Sequence, residues 1–85
     1  MNHDDALTLV RDILTDHLGL DAEQIVAGAN MREDLGMDSL DAVEMISALE
    51  KQIGTRLDPA EIEAVQTIAD VVDVLLRHSP VGALR

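Results

Sequence analysis

The 85-residue chain contains no cysteine, no phenylalanine, tyrosine or tryptophan, only two prolines and only six lysines and arginines. Without cysteine there is no disulfide framework, no thiolate nucleophile and no metal-thiolate site. Without aromatic rings, the 47% of the sequence that is hydrophobic must build an aliphatic core from Leu, Ile, Val, Ala and Met. Scarcity of basic residues, set against seventeen acidic ones, leaves a formal charge of −11. Nucleic acid and anionic membrane surfaces would repel such a chain. Basic protein surfaces are its natural counterpart, with a steering force that weakens as salt rises. No apolar run approaches membrane-spanning length, and no basic segment followed by an apolar run opens the chain as a secretory signal would. The expected setting is cytoplasmic, and the length fits one small domain.

Catalytic and metal chemistry is also missing from the pattern. His3, His17 and His78 are isolated, with no metal-ligand partner at helical spacing. His17 falls where a helix end would welcome it as a dipole partner. The acids between Asp34 and Asp41 lack the alternating oxygen ligands and closing glutamate of a calcium loop. No metal site and no enzyme activity are expected.

The hydrophobic spacing predicts helices throughout. A first helix begins near Asp4 or Asp5 and ends at Leu18, with Leu7, Val10, Leu14 and Leu18 on one stripe, widened by Leu9 and Ile13, and Gly19 as its stop. A long connection over 19–37 carries Leu20, Ile25, Val26, Met31 and Leu35, so it should pack over the core, with Asp21 capping one short turn. A second helix runs from Ser39 to Ile53. At about 100° per residue, Ala42, Met45, Ile46, Leu49 and Ile53 share an inward arc, whereas Leu40, Val43, Glu44, Ser47 and Lys51 face outward. Gly54 ends it. Asp58-Pro59-Ala60-Glu61 reads as a capping box opening a short third helix that buries Ile62 and Val65. Thr67 and Asp70 repeat the pattern before a fourth helix faced with Ile68, Val71, Val72, Leu75 and Leu76, halted at Ser79-Pro80. The β-branched residues of that last helix are not read as a strand, because no second strand is available to pair with it. The expected fold is all-α: a small four-helix bundle of three longer helices and one short third helix, spanning 1–79, with a flexible tail over 80–85.

The most informative segment is Asp34-Leu35-Gly36-Met37-Asp38-Ser39-Leu40-Asp41. Gly36 permits a sharp turn, Asp38 suits a helix N-cap, and Asp41 can reach back to complete a capping box. Ser39 then sits at the first helical position, open to solvent. No base stands near it in sequence, so it reads as an attachment point rather than a nucleophile of the chain's own chemistry. Leu40 and Val43 on the outer face would be wasted if this helix served only the fold; ringed by Asp38, Asp41 and Glu44, they suit a docked partner.

This segment resembles the prosthetic-group site of acyl carrier proteins, in which Asp-Ser-Leu follows Leu-Gly-x. The likeness extends over about Asp5 to Leu76 through helix order, the long first loop and the short third helix. It implies that Ser39 carries a phosphopantetheine arm supplied from coenzyme A by a phosphopantetheinyl transferase. Acyl groups would then ride on the arm as thioesters between enzymes of fatty acid, polyketide or specialised lipid biosynthesis. It implies that Asp38 is part of the attachment motif. It further implies that Leu40, Asp41, Val43, Glu44 and Ser47 face acyl-transferring and synthase enzymes with basic docking surfaces, and the carrier is expected to be a monomer. Met45, Ile46, Ile53, Leu57, Ile62 and Val65 are the residues expected to shelter an acyl chain, unless they form only the core. Three features depart from the general fatty-acid carriers: Lys51 and Arg56 are basic, Ser47 is small and polar, and the core lacks aromatics. An aminoacyl or peptidyl carrier of a dedicated pathway, or an unmodified acidic adaptor, stands as the alternative.

Overall fold

A computed structural model describes residues 2–78; the side chain of Pro59 is outside the description, as are the expected tail and the Ser79-Pro80 stop. Helix α1 spans His3–Leu18, α2 Ser39–Ile53, α3 Pro59–Glu63 and α4 Ile68–His78, with one 3-10 turn at Ala22–Gln24. The described residues contain no strand, only an isolated bridge between Asn30 and Thr67. The expected bundle of three longer helices and a short third one is present.

Local signals set the helix ends. Helix α1 starts earlier than its acidic residues suggested, because the Asn2 side chain accepts a hydrogen bond from the Asp5 amide at 2.8 Å. It stops at Gly19, where the Gly19 and Leu20 amides donate back to the carbonyls of Thr15 and Leu14. Asp21 caps the 3-10 turn by accepting from the Glu23 amide. At α3 the expected capping box is not closed. Asp58 accepts from the Ala60 amide, but the Glu61 carboxylate is paired instead with the His78 ring at the end of α4.

The box at α4 is complete. The Asp70 amide donates to the Thr67 hydroxyl, and the Asp70 carboxylate accepts from the Thr67 and Gln66 amides at 3.0 and 2.9 Å. Hydrogen bonds from the Thr67 and Gln66 amides hold the Asp70 carboxyl below its ordinary range, outweighing partial burial. A depressed carboxyl stabilises the fold above its unfolded-state pKa, and that contribution fades as pH falls through the folded value. Asp70→Asn should therefore lower stability by about 1 kcal/mol at neutral pH. In thermal melts, wild type and variant should draw together in acid, below the normal carboxylate range; a gap unchanged from neutral to acid would contradict the charge argument.

Helix α1 is the hub, packing against both α2 and α4, and α3 leans on α4. Ala6, Val10, Ile13 and Leu14 from α1 meet Met45, Ile46 and Leu49 from α2 and Ile68, Val71, Val72, Val74 and Leu75 from α4. Ala6 replaces Leu7 and Leu9 at the centre, since both leucines are only half-buried. Ala42 and Ile53, assigned to the inward arc of α2, are half-buried at its margins, as are Ile62 and Val65. The long connection packs as expected through Ile25, Met31 and Leu35, joined by Ala29 and Met37, but Val26 is half exposed. Arg11 ties this connection to α1 by donating from Nε and Nη2 to the Ile25 carbonyl. Three backbone bonds fasten it to the start of α4: Met31 N–H to Gln66, Ile68 N–H to Ala29, and Ala69 N–H to Ala27.

Candidate functional site

The connection that fastens to α4 delivers the chain to the start of α2. Asn30 organises the approach: its side-chain oxygen accepts from the Arg32 and Glu33 amides, and its own amide donates to Asp34 at 2.7 Å. The Met37 amide then donates to the Met31 carbonyl, closing the loop. Gly36 makes the turn at φ 67°, a left-handed conformation that costs a residue bearing Cβ about 1–2 kcal/mol. A Cβ there would touch nothing, so glycine is required by the backbone alone.

Asp38 and Asp41 form the reciprocal box at the head of α2. The Asp38 carboxylate accepts from the Asp41 amide at 2.9 Å, and the Asp41 carboxylate accepts from the Asp38 amide at 3.2 Å. Both acids of the motif thus define where α2 begins. Ser39 is consequently fixed as the first helical residue and exposed. Among the described residues its hydroxyl has no hydrogen-bond partner, and His78 is engaged with Glu61. Leu40 and Val43 are 67% and 59% exposed, large apolar side chains facing solvent beside the serine. Glu44 and Ser47 are exposed on the same helix, and Asp41 is half-buried by its box.

Two open grooves flank this face. One, of about 700 Å³, runs beside Ser39 between the connection, the start of α2 and α3, with Met37, Ala42, Val43, Ile62 and Val65 along it. The other, of about 640 Å³, lies between the middle of α2 and α3, floored by Val43, Ile46, Leu57 and Ile62. Both share Val43, Ile62 and Glu63. Of the six residues expected to shelter a chain, Ile46, Leu57, Ile62 and Val65 line these grooves. Met45 does not, being 1% exposed within the core, and Ile53 lines neither groove. Arg32 escaped the sequence reading; among the described residues, the Asn30 turn places it as the one basic residue lining the groove at Ser39.

The site is suited to a flexible phosphate-linked group. An accessible hydroxyl at a helix N-terminus places an attached phosphate in the favourable end of the helix dipole. Yet carboxylates surround that hydroxyl, so no cluster of cations would clamp the group to the surface. Among the described residues, no group of three histidine, aspartate or glutamate side chains is placed to hold a metal ion, and no helix is long and apolar enough to cross a membrane.

Comparison with known proteins agrees with this geometry. Residues 8–75 match the family described as the phosphopantetheine attachment site. An acyl carrier protein of Saccharopolyspora erythraea is 41% identical over 76 residues, covering 89% of this chain and 80% of the relative. An acyl carrier protein of Thermosynechococcus vestitus is 41% identical over 75 residues, covering 88% of this chain and 93% of the relative. The chain therefore belongs to the phosphopantetheine attachment-site family, as a member of its acyl carrier proteins.

Proposed function

We propose that Ser39 is the residue that bears the phosphopantetheine arm, and that this carrier serves fatty acid, polyketide or specialised lipid biosynthesis in the cytoplasm as a monomer. A member of this family is a carrier and not an enzyme, and its work requires transferase and synthase partners. The observation that carries the assignment to Ser39 is its hydroxyl: exposed, unpartnered among the described residues, and held at the first turn of α2 by the Asp38–Asp41 box. When attached, the arm supplies a terminal thiol on which acyl groups are held as thioesters.

The chain's own residues present, steer and shelter. The serine oxygen attacks the pantetheine-side phosphorus of the coenzyme A pyrophosphate within a phosphopantetheinyl transferase; the new phosphodiester bond forms as the pyrophosphate bond breaks, and adenosine 3′,5′-bisphosphate leaves. The serine proton is left to the transferase, since the Asp38 and Asp41 carboxylates beside Ser39 are engaged with backbone amides in their reciprocal box. Asp38, Asp41 and Glu44 ring Leu40 and Val43, an arrangement that favours a partner with a basic rim around a small apolar contact. Arg32 is the residue best placed to contact the phosphodiester. Intact mass after incubation with coenzyme A, magnesium and a broad-specificity transferase tests the assignment, with Ser39→Ala as its control.

The grooves on either side of Val43 suit partial shelter of an apolar cargo. Ile46, Leu57, Ile62 and Val65 offer aliphatic surface there, and α3 leans on α4 rather than closing onto α2. Backbone amide shifts of these four residues should change between the arm-bearing protein and its long-chain acyl form. If only residues around Ser39 shift, the chain stays in solvent and the grooves have no such role.

A further inference from the structure

We propose that the Glu61–His78 pair is a tether that sets which cargo the carrier shelters. While it holds, α3 stays against α4 and the grooves beside Val43 stay open to a long apolar chain. The inference rests on the carrier reading and its sheltering grooves, and adds to them the two residues that control the groove wall.

Only tertiary contacts can hold α3 in place. Its five residues fall far short of the about 12–15 at which a helix begins to support itself. None of its described side chains is fully buried. It packs on α4 and makes no comparable contact with α2, yet through Ile62 and Glu63 it walls both grooves. Beside Ile62, the Glu61 carboxylate crosses to His78 Nε2 at the end of α4, 2.5 Å away and seventeen residues on. Among the described residues this is the only contact between a basic and an acidic side chain. The two side chains are 30% and 29% exposed, so solvent screens them less than an open surface pair. His78 itself lines the groove between α2 and α3. Glu50, Arg56, Asp58 and Glu63 line it too, and none of them pairs with His78.

Glu61 also has a second partner within reach. It stands three residues after Asp58, the spacing of a capping box, but the box is only half closed. The Asp58 amide, which Glu61 would cap, donates no hydrogen bond among the described residues. Released from His78, the carboxylate can turn back to that amide. A long-range tether is then exchanged for a local cap: α3 stays helical but is no longer fixed to α4. Such an element has two arrangements, and a cargo that contacts only one of them shifts the balance toward it. A long chain lying along Ile62 favours the tethered wall, whereas a short acyl group that never enters the grooves is indifferent.

The test compares the full chain as wild type, H78A and the swapped pair E61H/H78E, each loaded at Ser39 with an acetyl or an octanoyl thioester. Hydrogen exchange is read first on the unloaded proteins. In H78A the amides of residues 60–65 should exchange about tenfold faster than in wild type, with those of α1 unchanged. Hydroxylamine should then cleave the octanoyl thioester of H78A about three- to tenfold faster than that of wild type. Acetyl thioesters should be cleaved at equal rates. E61H/H78E, which restores the tether but not the box, should bring both readouts back toward wild type. Unaltered exchange or unaltered octanoyl cleavage in H78A would overturn the tether, as would equal acceleration in α1, which marks a general loss of stability. A swap that restores nothing would reduce His78 to packing and overturn it too. If wild type protects octanoyl no better than acetyl, the sheltering role fails and its control with it. A wild type that cannot be loaded at Ser39 would overturn the carrier reading itself.

Discussion

Ser39→Ala is expected to abolish attachment of the phosphopantetheinyl group completely while leaving the fold intact. The loss should be total because the hydroxyl oxygen is itself the atom that would join phosphorus, and alanine supplies no replacement. Stability should hardly change. The side chain is exposed, makes no hydrogen bond among the described residues, and occupies a helix position where alanine is well tolerated. The capping box survives, since it is built from Asp38 and Asp41, and the shift in stability should stay within about 0.5 kcal/mol. Intact mass should therefore show one added group on the wild type and none on the variant, with superimposable far-ultraviolet circular dichroism. Modification of the alanine variant would move the attachment point to another residue. A folded, initially unmodified wild type that gains nothing would point to a dedicated transferase or to an unmodified adaptor.

The largest effect on stability is expected from Leu49→Ala. Leu49 lies on the same helix as Ser39 but is fully buried, within the cluster where α2 meets α1. Truncating a buried leucine removes its transfer free energy and leaves a cavity, together about 2–5 kcal/mol. A small domain has only about 5–15 kcal/mol in total, and each kcal/mol moves its melting point by about 4–8 °C. The variant should melt at least about 8 °C below wild type. Here the absence of aromatic residues matters, because branched and unbranched aliphatic chains alone must fill the space and no large ring remains to close over the gap. Leu40→Ala on the exposed face supplies the contrast, with an expected change within about 0.5 kcal/mol. Equal losses from the two leucines would mean that the inner and outer faces of α2 have been misassigned.

Much of the candidate site was legible from the sequence because the parts of its motif lie within five residues of one another. Gly36 at positive φ, Asp38 as N-cap, Asp41 as its reciprocal partner and Ser39 as the first helical residue all follow from local backbone geometry. Leu40 and Val43 fall outward by helical periodicity alone. The reading faltered where a residue's fate depends on a distant neighbour. Glu61 has the spacing of a capping box with Asp58, but His78, seventeen residues away, takes its carboxylate. Met45 and Ile46 are adjacent and equally apolar, yet Met45 turns into the core whereas Ile46 reaches a groove.

By itself, the sequence determined the helical class, the helix ends and the motif at the head of α2. Those features are set by caps, turns and a 3.6-residue period, all of short range. Only the tertiary structure decided how the connection over 19–37 is used. Its bonds from Met31, Ile68 and Ala69 join it to the start of α4, and Arg11 joins it to α1, across separations that no local pattern encodes. The same long-range packing leaves α3 against α4, keeps the grooves beside Val43 open, and sets Lys51 and Arg56 on one surface with Ser47. A side chain's position on its own helix is fixed by the backbone; what lies opposite it is fixed by how the helices meet.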